Sequence, residues 1–407
     1  FSWVDITKNS KGKPDPKSMA ALFKKEFDVE LEGHMASHST YWDTLATLKA
    51  SGKSPDVVQM PDWNYYPICI VQDLVQPLDD YIDFSQPLWA DSKETREKLS
   101  WNGKTYVSWG PPAINSWLFY NKKMFRDNGV KTPREYYLED NWTWEVMQDL
   151  ADQFVHKATN GAVDTWGLAF QNADLMITTG IDLVEPDEKN GYKFNMRDPK
   201  LAKMMNMLYE MGSAGTGSLA LNGGTEGSII TRFVQGKIAM IGTVPWLANA
   251  EGNDMRRAGN LDWVPLPKMD KNASYYFPAT SSPAWGIAVG AKHPQTAACF
   301  IEFSKWHGLG DPPTEFLPKA ENAARIRYKA TVSKVEDPNA VLTEEEQEWT
   351  RQIVEKDYPM ITNIWQSWLG TQDLPGYAEV VSGEKTWSAA LEEVYPINEA
   401  LLKAYFK

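Results

Sequence analysis

The hydrophobic pattern is clearest in residues 228–250, where it predicts a helix, a strand, an exposed corner and a second helix. Apolar residues recur at helical spacing between Ile229 and Phe233, and Gly236 stands where a helix C-terminus favours a residue that accepts positive φ. The short apolar run at 238–241 has no polar face, which is typical of a parallel strand covered by helices. This stretch therefore indicates an α/β sheet.

A corner follows this predicted strand. Gly242 and Thr243 leave the strand, and Pro245 suits the first turn of the next helix because proline has no N–H to leave unpaired. Trp246 is thus placed just beyond the carboxyl end of a buried strand, where ligands bind in open α/β sheets. Two interpretations stay open: the indole ring contacts a ligand, or it packs its own helix against the sheet.

The amino-terminal part of the chain alternates between strand and helix patterns. The predicted elements are, in chain order, a strand at 1–6, a helix, a strand at 29–32, a helix at 41–50 and a strand at 56–60. Polar and aromatic residues follow the second and third strands, in the loops 33–38 and 61–64. Repeated β-α-β units predict an α/β fold with these loops on one edge.

Length, charge and aromatic content narrow the possible classes of protein. At 407 residues the chain is long enough for two or three domains with ample cores. Forty-one Lys and Arg against 54 Asp and Glu give a net charge of −13, so we expect no nucleic-acid partner, since phosphate backbones repel this charge. Eighteen Trp and 17 Tyr are a conspicuous excess. Such rings stack on the flat C–H faces of sugars, so this excess is consistent with a sugar ligand. For any single Trp, packing in the core remains the alternative.

The sequence predicts neither a metal nor a cofactor. Cys69 and Cys299 lie in apolar settings that predict buried free thiols, and neither is near a second Cys or a His at ligand spacing. The five His residues form no metal-binding motif, and the acidic stretch 337–346 lacks the Gly and the alternating ligands of a calcium loop. The sequence starts at Phe1 without Met, so we expect that a targeting segment was removed or left out.

Several segments, in the same order along the chain, resemble one protein family. The segment that carries a sugar-stacking tryptophan in that family is matched, at the same offsets, by Phe233, Gly236, Ala239, Met240, Pro245 and Trp246. Further matches are Ala-Ser-Gly-Lys-Ser-Pro-Asp-Val-Val at 50–58, Gln-Pro-Leu-Asp-Asp-Tyr-Ile at 76–82, and the pieces at 104–112, 117–121 and 165–170. Over nearly its whole length the chain resembles the extracellular solute-binding proteins of carbohydrate ABC importers, the maltose-binding-protein-like family.

The resemblance implies a fold and its boundaries. We expect an α/β protein of two Rossmann-like lobes joined by three hinge crossings, the type II form of the periplasmic-binding-protein fold. The N-terminal lobe would comprise 1–113 and 286–356, and the C-terminal lobe 114–285 and 357–407, with the ligand cleft between them.

The resemblance also assigns ligand-binding residues in the N-terminal lobe. Asp62 and Trp63 fall in the loop that offers a carboxylate and a ring to the sugar, although an Asp in such a loop is often a turn cap. His38 and Asp62, together with Asn115 of the C-terminal lobe, are expected to bind sugar hydroxyls, because a buried polar group left unpaired costs free energy.

The remaining expected site residues lie at the crossings. Asn115 and Trp117 would stand at the cleft wall after the first crossing, with packing under the crossover as the alternative for the Trp117 ring. Ser282 and Trp285 would lie at the second crossing, where the chain departs from the Gly-rich loop of the family. Trp365 would follow the third crossing, with Trp368 as the second choice, and Trp246 completes the set.

These residues predict a receptor of an ABC importer that captures a carbohydrate, an oligosaccharide by its number of Trp candidates, and delivers it to the membrane permease. We expect a monomer without enzymatic activity, lipid-anchored on the extracellular face of the cytoplasmic membrane or periplasmic. Two alternatives stay open: a glycoside hydrolase, because aromatic clefts with carboxylates also cleave sugars, and the same fold with a non-sugar solute.

Overall fold

The fold is described by a computed structural model, in which the chain forms two compact units. The described residues are 1–2, 6–7, 13, 15–16, 18–37, 40–60, 66–110, 112–157, 159, 163–171, 173–187, 191–213, 215–221, 228–248, 251–281, 284–308, 342–362, 369 and 374–405. Unit 1 comprises Phe1–Pro112 and Ser281–Ile326, and unit 2 comprises Ala113–Thr280 and Arg327–Lys407. Helices and strands are numbered in chain order.

Unit 1 contains a small antiparallel sheet. Its strands are β1 (Val57–Met60), β2 (Val75–Gln76) and β13 (Ala284–Ala288), in the order β1-β13-β2. Its helices are α1 (Met19–Phe27), α2 (Tyr41–Ala50), α3 (Ile68–Val71), α4 (Lys93–Lys98), preceded by the 3₁₀ helix Pro87–Ser92, and α11 (Pro294–Gly308). A buried cluster that includes Phe23, Trp89, Ile287 and Phe300 joins α1 and α11 to this sheet.

Three of the predicted amino-terminal elements are confirmed and one strand is wrong. Helices α1 and α2 and strand β1 lie where the pattern predicts them. The strand expected at 29–32 is instead extended chain outside any sheet, and an isolated bridge joins Ser2 to Met35 just after it. Val29 and Leu31 still pack, partly buried, on the core cluster, so the alternation reflected burial of one face without strand pairing.

Unit 2 is built on a mixed sheet of six strands. Their order is β11 (Leu261–Val264), β4 (Trp117–Asn121), β10 (Ile238–Thr243), β6 (Val163–Phe170) and β5 (His156–Lys157), with β9 (Leu219–Ala220) also paired to β6. A two-stranded hairpin is formed by β7 (Val184–Asp187) and β8 (Gly191–Phe194). Strand β10 is parallel to β6 and antiparallel to β4, so the strand predicted to be parallel has a parallel partner on one side only.

Helices cover this sheet. They are α5 (Lys122–Asn128), α6 (Pro133–Leu138), α7 (Trp144–Gln153), α8 (Pro199–Met211), α9 (Ile229–Val234), α10 (Asn253–Arg257), α12 (Glu344–Val354), α13 (Tyr377–Val381) and α14 (Trp387–Tyr405), with 3₁₀ helices at Ala173–Thr179 and Pro245–Ala248. The expected end of α9 is confirmed, because Gly236 has a φ of 74°. Pro245 opens the 3₁₀ helix that follows β10. None of the helices in the described part of the chain has the length and apolar character needed to span a membrane.

A third sheet uses β3 (Pro112–Ile114), β12 (Phe277–Ser281) and β14 (Met360–Thr362), in the order β14-β12-β3. Strands β12 and β14 are parallel, with Phe277 opposite Met360. The N–H of Asn115 donates to the carbonyl of Pro278 at 2.7 Å, which extends the hydrogen bonding on the other side of β12. Two of the unit boundaries fall within this sheet, at the ends of β3 and β12.

Helix α12 belongs to unit 2, whereas the sequence placed residues 286–356 in the N-terminal lobe. The indole N–H of Trp349 donates to the carbonyl of Trp263 at 2.7 Å, and Arg256 contacts Glu346 at 3.1 Å. The Trp349 ring also lies 3.9 Å from the Arg134 guanidinium carbon. The polar pattern of this helix does not reveal what it packs against, because the residues that anchor it come from two distant parts of the chain.

Gly167 in β6 provides a test of how α7 packs on the sheet. A Cβ atom added to Gly167 would lie 1.9 Å from the carbonyl oxygen of Ala151, so Gly167→Ala forces two backbones apart. We expect a loss of about 3 kcal/mol of unfolding free energy, measured by urea denaturation. Gly33→Ala is the control, because nothing lies within 4 Å of its added Cβ. Equal midpoints for the two variants would contradict this close packing.

The two cysteines are free, as predicted. Cys69 in α3 is buried, and this burial raises its thiol pKa to about 12. Because the thiolate is the reactive form, we expect Cys69 to resist iodoacetamide at pH 8 in the folded protein and to react fully in urea, as read by peptide mass spectrometry. Rapid labelling of folded protein at Cys69 would show that α3 opens readily.

Candidate functional site

The ends of four neighbouring strands meet at one edge of the unit 2 sheet. The parallel strands β6, β9 and β10 end there, at Phe170, Ala220 and Thr243. Strand β4 runs in the opposite direction, so its first residue, Trp117, lies at the same edge opposite Thr243. In open α/β sheets the carboxyl edge of the parallel strands is where ligands bind, which makes this edge the candidate site.

Hydrogen-bonded polar side chains lie at this edge, where β6 and β10 end and β4 begins. The N–H of Gln171 donates to the carbonyl of Gly242 at 2.9 Å, and the Thr243 hydroxyl donates to Oε1 of Gln171. The Ser116 hydroxyl lies 3.4 Å from the carbonyl oxygen of Thr243. Thr243 and Ser116 are fully buried, whereas Gln171 is half-buried and keeps part of its side chain accessible.

Gly242 allows β6 and β10 to end in this arrangement. A Cβ atom at position 242 would lie 2.3 Å from Cδ1 of Phe170, so only a glycine leaves room for that ring beside the strand. The Phe170 side chain is 5% exposed and is part of the buried apolar core at this edge. The polar residues Gln171 and Thr243 therefore lie next to packed apolar residues.

Trp246 is the exposed aromatic residue of this edge. Its side chain is 41% exposed, although Pro245, Leu247 and Ala248 in the same 3₁₀ turn are buried. The buried neighbours fix the backbone while the indole keeps a large accessible surface. Of the two interpretations of Trp246, a ring available to a ligand fits this exposure better than a ring that packs its own helix.

The structure places two other expected site rings in the cores of their units. Trp117 is 1% exposed, and its ring centroid lies 5.9 Å from that of Phe277. Trp285 is 7% exposed and packs edge-on against Phe300, with ring centroids 5.1 Å apart. Both rings have their faces covered by protein, so we leave them out of the proposed stacking set. For Trp117 this is the alternative that the sequence left open.

Asn115 is half-buried, and its backbone is held to β12 by the hydrogen bond to Pro278. Because β4 begins two residues later, Asn115 lies beside the same strand edge as Thr243. The other expected site residues, His38, Asp62, Trp63, Ser282 and Trp365, as well as Trp368, lie outside the described residues.

Gln171 is a site candidate that the sequence analysis missed. The available signal was its position directly after the buried strand that ends at Phe170. Its partner Thr243 is 72 residues away in the chain, and only the parallel pairing of β6 with β10 brings the two together.

Two buried carboxylates are engaged in structural ion pairs away from this edge. In unit 2, Asp262 accepts a hydrogen bond from Tyr120 at 2.7 Å and lies 3.3 Å from Arg134. Burial and the charge of Asp262 raise the pKa of Tyr120, which keeps its hydroxyl protonated as the donor. In unit 1, Asp91 pairs with Lys305 at 2.7 Å. Within the described ranges no group of three His, Cys, Asp or Glu residues is arranged to hold a metal ion.

The contrast between Trp246 and Trp117 can be tested by their effects on stability. We expect Trp117→Ala to cost about 3 to 5 kcal/mol of unfolding free energy, because it leaves a large cavity in the core. Trp246→Ala should cost about 1 kcal/mol or less, because much of its ring already contacts solvent. Urea denaturation of both variants beside the wild type measures the difference. Similar losses would mean that Trp246 is a packing residue.

The chain matches a known family model over more than half of its length. The model describes bacterial extracellular solute-binding proteins, and it matches residues 18–304. A search of curated protein sequences found no match.

Solved structures with the same fold cover nearly the whole chain at low sequence identity. An ABC substrate-binding protein from Listeria monocytogenes in complex with cycloalternan is 17% identical, with a TM-score of 0.64 over 95% of this chain and 94% of that chain. A cyclo/maltodextrin-binding protein complexed with maltotetraose is 18% identical, with a TM-score of 0.64 over 94% of this chain and 91% of that chain. The GacH receptor of Streptomyces glaucescens, solved unliganded and with acarbose, is 19% identical, with a TM-score of 0.61 over 95% of this chain and 94% of that chain.

These similarities establish the expected fold, an α/β protein of the maltose-binding-protein-like, type II periplasmic-binding-protein class. The family match adds the class of protein, and it includes the strand that leads to Trp246 and the residue that follows β6. The chain therefore belongs to the bacterial extracellular solute-binding proteins.

Proposed function

We propose that this solute-binding protein is the receptor of an ABC importer, that its ligand is a carbohydrate, and that it delivers this ligand to the membrane permease. The observation that carries the proposal is the exposed indole of Trp246 beside the polar, uncharged side chains at the carboxyl edge of the unit 2 sheet. An oligosaccharide is favoured over a single sugar, because Trp63 and Trp365 are further candidates for stacking in the sequence.

The chemistry of this edge suits a neutral ligand rich in hydroxyl groups. An indole ring that covers the C–H face of a sugar should contribute on the order of 1 to 3 kcal/mol by burial of apolar surface. Hydroxyl groups are then distinguished by hydrogen bonds, since a polar group left unpaired in the bound state costs affinity. The side chains of Asn115 and Gln171 supply amides for this purpose, and neither of them is charged.

The relatives support a carbohydrate. Three solved proteins with the same fold hold cycloalternan, maltotetraose and acarbose, and a fourth, CpMnBP1, holds mannotriose. The named compounds differ, so they favour a ligand class and do not identify one sugar. Capture in an interlobe cleft that closes by hinge bending stays a prediction of the family resemblance, in which the ligand drives closure by binding the closed state more tightly.

Membership of the family places the protein outside the cytoplasm, and its relatives are binding proteins. We propose that it is monomeric and lipid-anchored or periplasmic, and that it does not cleave its ligand.

Titration with a panel of oligosaccharides tests this function. The panel comprises maltotetraose, mannotriose, cellotetraose, xylotetraose and diacetylchitobiose, with binding read by intrinsic tryptophan fluorescence and calorimetry. We expect micromolar or tighter binding to one glycan class without shortened products, and a Kd raised about tenfold or more in Trp246→Ala.

Each outcome of this titration decides between ligand classes. Binding without turnover supports the receptor, whereas shortened products would identify a glycoside hydrolase. If the folded wild-type protein bound no member of the panel, a non-sugar solute would become the proposed ligand. Unchanged binding by a folded Trp246→Ala variant would remove Trp246 from the site while leaving the ligand class intact.

A further inference from the structure

We propose that Gln171 is a specificity-determining residue, which donates a hydrogen bond from its side-chain amide to one hydroxyl oxygen of the bound sugar, and that Thr243 positions it. This inference rests on the proposed carbohydrate-binding function and deepens it by defining the contact that one residue makes. It depends on four properties of Gln171: its fixed backbone, the partner of its Oε1 atom, its accessibility and its connection to Trp246 through the end of β10.

The backbone of Gln171 is fixed although it lies beyond the end of β6. Its N–H continues the parallel ladder by donating to the carbonyl of Gly242 at 2.9 Å. A side chain that leaves a sheet at such a position is directed by the strands and not by a free loop. Fixed groups lose less conformational entropy on binding, which makes them effective at discriminating between ligands.

The Thr243 hydroxyl orients the amide of Gln171. Thr243 is fully buried and its hydroxyl donates to Oε1 of Gln171, so the carbonyl end of the amide is satisfied inside the protein. The nitrogen end, Nε2, has no hydrogen-bond partner among the described residues. Because the side chain is half-buried, its two N–H donors have a place to meet a ligand without full exposure to solvent.

The two N–H donors of the Gln171 amide determine which chemical groups of a ligand can bind there. An amide N–H pairs with an oxygen lone pair, and it repels an ammonium or guanidinium group. The side chains of Thr243, Ser116 and Trp246 are uncharged, so these three residues offer no counterion for a carboxylate or a phosphate. A neutral hydroxyl is the matching acceptor.

Gln171 and Trp246 are connected through the end of β10. Thr243 is the last residue of that strand, and Trp246 lies in the turn immediately after it. The same short stretch therefore positions an amide through Thr243 and an indole through the 3₁₀ turn. We infer that they contact one sugar unit, the ring by its C–H face and the amide by a hydroxyl at its edge.

Replacement of Gln171 by residues of similar length tests this inference. Gln171→Met keeps the length of the side chain and removes both ends of the amide, so we expect Kd for the tightest-binding panel oligosaccharide to rise about tenfold. Thr243→Val should raise Kd less, by about threefold, and Thr243→Ser should restore wild-type affinity because it keeps the hydroxyl. Gln153→Met is the matched control, because Gln153 is exposed on α7 and, in the part of the chain that the structure describes, its side chain bonds only within that helix.

Monodeoxy analogues of the same oligosaccharide separate recognition from a structural effect. The analogue that lacks the contacted hydroxyl should bind about tenfold more weakly to the wild type, with no further loss in Gln171→Met. Equal losses for every analogue in both proteins would make Gln171 a structural residue and overturn the proposal. Gln171→Ala serves as a second variant if urea denaturation shows that Gln171→Met is unfolded.

The failure of this inference is distinguishable from failure of the proposed function. Wild-type affinity in a folded Gln171→Met variant overturns the role of Gln171 while carbohydrate binding stands. Loss of affinity in Gln153→Met to the same extent also overturns it, because the effect would then not be local. Absence of binding by the wild type to the whole panel overturns both.

Discussion

Strand β10 is the constraint on which unit 2 depends. All six of its residues are buried, and it pairs with β6 on one side and β4 on the other. A strand enclosed in this way has little freedom in register, because a shift by one residue would move every side chain to the opposite face. The backbone of the residues that follow it, from Val244 to Trp246, is positioned by this fixed strand. The precision of the candidate site therefore comes from the sheet below it.

The sequence predicted the local features of this region well. The end of α9 at a glycine with positive φ, the buried strand and the proline that opens the next turn all follow from short-range rules. The antiparallel partner β4 was not predictable, because its direction depends on where the chain enters unit 2. The strand expected at 29–32 failed for the related reason that alternating burial does not guarantee a pairing partner.

The candidate site shows the same division between local and long-range information. The placement of Trp246 after a buried strand was predictable, whereas the burial of Trp117 and Trp285 was not, since aromatic residues near a crossing have both a core side and an open side. Gln171 was missed because its significance lies in its contact with Thr243, 72 residues away. Hydrogen bonds of this kind between strand ends leave no periodic pattern in the sequence, so they can be identified only from the pairing of the strands in the structure.

The packing of α12 has a consequence for how the protein can be divided. In this helix, Trp349 contacts Trp263 and Glu346 contacts Arg256. The second segment of unit 1, Ser281–Ile326, separates the helix from both partners in the sequence. A fragment limited to residues 113–280 would present that apolar and charged surface to water and would lack β14 beside β12. Dissection of the protein into autonomous halves thus calls for a discontinuous design, in which the C-terminal stretch is rejoined to the middle of the chain by a linker.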